Sequence, residues 1–86
     1  MENNDNLIER IEELLEEMVE QQKAKVQKVA DILNPRVTRE DILNPQDFPE
    51  LKFDPQFNYE DGLLSGLIAV QTAIRREKIK GTQRIL

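Results

Sequence analysis

The feature that most constrains this chain is an apolar pattern that recurs every three or four residues from Leu7 to Leu33. Such spacing places the side chains on one side of an α-helix, and Asn34 and Pro35 then stop the helix. We predict a helix over residues 6–33 that starts at an Asn6/Glu9 capping box. Its apolar side consists of two adjacent stripes. The first is Leu7, Ile11, Leu14 and Met18; the second is Ile8, Leu15, Val19, Val26, Val29 and Leu33, with Gln22 in its path.

The middle of the chain is divided by three steps in which Asn or Asp precedes Pro, a pairing that favours turns and helix starts. Thr38 and Asp41 predict a short helix over residues 38–43, followed by an irregular connection over 44–58. All the aromatic residues lie close together here. They either pin the connection to the core or form an aromatic surface for a partner. These residues are Phe48, Phe53, Phe57 and Tyr59.

The last part of the chain predicts a second helix over residues 59–79, capped by Asn58 and ended by Gly81, with a frayed tail over 80–86. Large apolar residues and small residues form two stripes side by side, so nearly every side of this helix is apolar. Such a helix needs covering on several faces. The large stripe is Leu63, Leu67, Val70 and Ile74; the small stripe is Gly62, Gly66, Ala69 and Ala73.

Together these patterns predict one all-α domain over residues 1–86, in which the long and the shorter helix pack antiparallel. Residues 1–20 carry eight acids and one Arg, whereas residues 75–86 carry five cations and one Glu. An antiparallel pair brings these opposite charges together. One chain of 86 residues has little else with which to cover the second helix, because small single cores are marginal.

We therefore expect a homo-oligomeric helical bundle of coiled-coil type, most simply a homodimer. The expected interface, with a second copy or with an unidentified protein partner, sets the first stripe of the long helix against the second helix. It consists of Leu7, Ile11, Leu14, Met18, Gly62, Leu63, Gly66, Leu67, Ala69, Val70 and Ala73.

The residue types present argue against enzymatic chemistry. The chain has no His, Cys or Trp, which removes imidazole bases, thiol nucleophiles and Cys/His metal sites. Ser65, the single serine, lies within an apolar helix with no base to activate it. The glutamates between Glu12 and Glu20 follow helical spacing on the polar side and indicate a solvated face. We expect no catalytic residue, no metal and no cofactor.

The acidic character of the chain, a net charge of −5, disfavours general binding to nucleic acid or anionic lipid. The sequence predicts neither a secretory signal nor a membrane span, which needs about 20 apolar residues, so we expect a cytoplasmic protein. The predicted function is a non-enzymatic protein–protein interaction module: an adaptor, scaffold or regulatory protein. The alternative is a small nucleic-acid- or ribosome-associated factor that uses its basic end, at Arg75, Arg76, Lys78, Lys80 and Arg84.

Overall fold

The structure, a computed structural model, describes residues 3–85. Two long helices of 31 residues each, α1 (Asn3–Leu33) and α3 (Pro55–Ile85), form a hairpin. Their connection contains 3₁₀ turns at Asp41–Leu43 and Pro45–Asp47 and one short helix, α2 (Pro49–Lys52). Every regular element of the described residues is helical, so the predicted all-α class is confirmed.

The two long helices pack along each other in opposite directions. Gln22 of α1 contacts Glu60 near the start of α3, whereas Glu12 pairs with Lys78 near its end, at 3.0 Å between Oε1 and Nζ. The hairpin is elongated, at 50 × 19 × 19 Å. Acidic residues of α1 and basic residues of α3 therefore meet as the charge pattern predicts.

The second stripe of α1, and not the first, faces α3. Leu15, Val19 and Val26 of this stripe are buried. Gln22 is also buried, and its Nε2 donates to the backbone oxygen and to Oε1 of Glu60, at 2.9 and 2.7 Å. These bonds satisfy an amide that would otherwise be costly inside an apolar seam.

The largest buried cluster lies at the closed end of the hairpin, where the connection joins the two long helices. Phe57 and Leu51 are 0% exposed there, and Val26 is 1% exposed. The connection is thus tied to the helices by side chains of its own. The buried cluster is Val26, Val29, Ala30, Val37, Leu51 and Phe57, with Leu33, Ile42, Phe48 and Leu64 packed against it.

Several predicted boundaries differ from the structure. The C-terminal helix begins at Pro55, before residue 59, because Asp54 Oδ2 accepts a bond from the backbone N–H of Phe57 at 2.8 Å and acts as the cap in place of Asn58. It also continues to Ile85, so the predicted stop at Gly81 and the frayed tail over 80–85 are wrong. Gly81 has no positive φ, and Lys78 is held to α1; residue 86 lies outside the described residues.

The N-terminal helix and the connection also differ in detail. α1 starts at Asn3, which places Asn6 inside the helix. The short helix predicted over residues 38–43 is a 3₁₀ turn at Asp41–Leu43. Thr38 and Asp41 form it by bonding each other's backbone N–H, at 2.9 and 3.2 Å. The connection predicted to be irregular over 44–58 contains a second 3₁₀ turn, α2 and the first turn of α3.

Candidate interaction surface

The two sides of the hairpin can be told apart by the contacts of Glu16. Its Oε2 lies 3.2 Å from Gln71 Nε2 and 3.9 Å from an Nη of Arg75, so these residues meet across one side. On α1, Met18 and Glu16 lie on opposite sides of the line of residues that contacts α3. On α3, Val70 and Arg75 lie on opposite sides of the line of residues that contacts α1. Met18 and Val70 therefore share the other side of the hairpin.

This second side carries a continuous apolar face. Leu7 and Leu14 are 57% and 56% exposed, and Val70 is 49% exposed. No atom lies within 4 Å of the position that a Cβ on Gly66 would occupy, so this glycine is open to approach. We define the apolar face as Leu7, Ile11, Leu14 and Met18 of α1 together with Leu63, Gly66, Val70 and Ala73 of α3.

The structure places the predicted interface residues in or beside this face. Gly62 and Ala69 are exposed at its outer edge, next to the small residues within it. Ile11 and Leu67 are half-buried, Leu67 because it lies at the seam with α1. The remaining members of the apolar face are exposed, so the described chain itself leaves this surface uncovered.

The connection covers the opposite side of the hairpin. Gln27 Nε2 donates to the backbone oxygen of Val37 at 3.4 Å, and the turn at Ile42 lies over the same side of α1 as Lys23. A cleft of about 250 Å³ remains between the turn and the long helices. Its lining is Glu20, Lys23, Ala24, Val26, Gln27, Arg39, Ile42, Leu43 and Leu64.

The aromatic residues divide between the two interpretations of the sequence. Phe57 is fully buried and Phe48 half-buried, so both pin the connection. Phe53 and Tyr59 are 73% and 65% exposed, and the Lys52 ammonium lies 5.3 Å from the Phe53 ring centroid. Two aromatic side chains are therefore accessible to a partner.

The basic end of α3 lies against acidic residues. Arg75 and Lys78 pair with Glu16 and Glu12 of α1, and Lys80 lies 3.5 Å from Glu77 within α3. Each of these cations is exposed, so the pairs orient the helices more than they stabilise them. The contacts occupy charges that a nucleic-acid surface would require.

Among the described residues, no three acidic side chains come together as a potential metal site. Across the same residues, no helix combines the length and hydropathy needed to span a bilayer. Ser65 is exposed on α3, on the side away from the apolar face. The apolar face, with its run of exposed large side chains, is therefore taken as the candidate interaction surface.

Asp61, half-buried near the start of α3, gives a prediction on stability. Burial removes water from its carboxylate and raises its pKa above the ordinary value. Its charge is therefore unfavourable to folding above that pKa, and the effect vanishes once both folded and unfolded states are protonated. We expect Asp61→Asn to raise the urea midpoint slightly at pH 7 and to leave it unchanged near pH 3. An equal gain from Asp47→Asn, at an exposed site, would contradict this explanation.

Comparisons with family models, curated proteins and solved structures give no match to this chain.

Proposed function

We propose that this protein is a non-enzymatic protein–protein interaction module that associates with a second copy of itself through the apolar face. The observation that carries this proposal is the run of exposed leucine, methionine and valine side chains along one side of the hairpin. Extended apolar patches of this kind mark interaction sites in soluble proteins.

A second copy suits this surface for two physical reasons. Gly66 and Ala73 leave room for another helix to approach α3 closely, and the large side chains of α1 provide groups that fill such space. The hairpin alone also buries few large side chains, so a matching hairpin supplies a second layer. The result is a four-helix bundle made from two chains.

In this assembly the protein acts as an adaptor, scaffold or regulatory protein. Leu43 and Phe53, which are 77% and 73% exposed, are among the apolar side chains that lie outside the proposed interface. Those two side chains lie on the connection and remain available for a further protein. The proposed module therefore has one surface for itself and one for another partner.

Light scattering at high and low protein concentration tests the proposal. We expect the wild-type chain to show twice its monomer mass of 10.1 kDa and Leu14→Glu to return to the monomer mass, because the charge cannot be buried in the interface. Circular dichroism checks that the variant stays helical, as the exposure of Leu14 implies.

Leu43→Glu is the matched control, because Leu43 is more exposed than Leu14 and lies outside the apolar face. It should leave the mass unchanged. A monomeric wild-type protein at high concentration would overturn the proposed self-association. A dimer that survives Leu14→Glu would place the interface elsewhere on the hairpin.

A further inference from the structure

Resting on the proposed self-association, we infer the arrangement of the two copies: they lie side by side and point in the same direction. A twofold axis then runs along the length of the hairpins, and α1 of each copy packs antiparallel against α3 of its partner. Both connections lie at one end of the bundle. Each helix contacts only helices that run opposite to it.

The register follows from contacts inside one chain. Gln22 lies beside Glu60 and Glu16 lies beside Gln71. Residue numbers that rise along α1 are therefore matched by residue numbers that fall along α3. A twofold axis parallel to the helices preserves these levels between copies. Counting from these two contacts puts Leu14 of one copy level with residues 68–73 of the partner's α3, and Val70 is the large apolar-face residue within that range.

Side-chain size matches on either side of this central pair. One turn towards the closed end, Met18 faces the partner's Gly66, and one turn towards the open end, Ile11 faces the partner's Ala73. A large residue meets a small one in both places. Alternation of this kind lets facing helices interdigitate without voids or clashes.

Charge also matches along the same pair of helices. Residues 6–17 carry five glutamates and one Arg, a net charge of −4, and lie level with residues 67–78, whose net charge is +2. Residues 19–30 carry +2 and lie level with residues 54–65, which carry −3. Segments of opposite net charge thus meet at both ends of the interface. This attraction favours the orientation over those that bring like charges together.

The reversed arrangement, with α1 against α1 and α3 against α3, is less favourable. In a register in which the two copies of α1 overlap along most of their length, it sets Leu14 and Ile11 opposite the partner's Lys25 and Lys28. Lysine stems cover apolar surface, but their ammonium groups must stay in water. The centre of the α1 interface would therefore be polar.

Disulfide cross-linking distinguishes the two arrangements, because the chain has no cysteine of its own. Single variants Leu14→Cys and Val70→Cys are mixed under reducing conditions and then oxidised. In the proposed arrangement their Cα atoms come within the range of about 4.4–6.8 Å that a disulfide needs. The matched pair is Leu7→Cys with Ile32→Cys, two exposed positions of α1 that meet when the copies are reversed in that register and lie far apart when the copies point the same way.

We expect the mixed Leu14/Val70 disulfide to form severalfold more than the mixed Leu7/Ile32 disulfide, as read by intact mass spectrometry. Light scattering of the same mixtures reports the mass independently. A monomeric mass overturns the proposed self-association itself. A dimeric mass with a dominant Leu7/Ile32 disulfide, or with neither mixed disulfide, overturns only the orientation inferred here.

Discussion

Phe57→Ala should lower the free energy of unfolding by about 3–5 kcal/mol, the range for removing a buried phenylalanine ring. Phe57 of α3 is 0% exposed and packs in the buried cluster with residues of α1 and of the connection. Domains of this kind have about 5–15 kcal/mol of stability in total. Urea denaturation followed by circular dichroism should therefore show a large share of that stability lost.

Phe53→Ala is the control for this prediction. Phe53 lies four residues earlier and is 73% exposed, so its removal leaves no cavity. The free energy of unfolding of this variant should stay within about 0.5 kcal/mol of the wild-type value, as for ordinary surface changes. Equal losses for the two variants would mean that Phe53, and not only Phe57, belongs to the packed core.

Gly66→Leu should convert the associated protein to a monomer while leaving each chain well folded. The new side chain would fill the space into which Met18 of the partner is proposed to pack. Within one chain there is room to start this side chain, since apart from its own helical turn nothing lies within 4 Å of the Cβ position. Leucine is also a better helix former than glycine by roughly 0.8 kcal/mol. The mass should fall by half, and the helical signal of the monomer should not decrease.

Ser65→Leu provides the comparison, because it adds a leucine one residue away on the other side of α3. Analytical ultracentrifugation of both variants should show dissociation for Gly66→Leu alone. Gly66→Leu should favour helix formation and yet abolish association. A fall in mass therefore reports on the interface and not on unfolding. If both variants keep the wild-type mass, Gly66 does not lie where the copies meet.

The sequence predicts the two helices and their antiparallel packing well, because periodicity, Pro35 and the opposite charges all act locally or along a whole helix. It does not decide which apolar stripe of α1 faces α3. Gln22 interrupts the apolar second stripe, and only its bonds to Glu60 explain its place there. Those bonds join residues 38 positions apart, and no local pattern encodes them.

The start of α3 shows a similar limit. Asn58 and Asp54 are both good helix caps in sequence, and Asp54 is followed by Pro55, which suits the first helical position. Burial of Phe57 favours the earlier start, because the ring must point into the cluster with Leu51. The proposed interface residues were predictable as apolar, whereas their alignment on one side of the hairpin depends on the fold.

The confinement of the large buried cluster to the closed end makes the hairpin unequal in strength along its length. Towards the open end the helices share few buried residues, among them Leu15 and Gln71, so local opening there costs less than at the connection. Leu7, Ile11 and Leu14 belong to this weaker half. Association through these residues would therefore also stabilise the open end of the hairpin. Binding a partner and completing the fold of each chain would then be a single cooperative event.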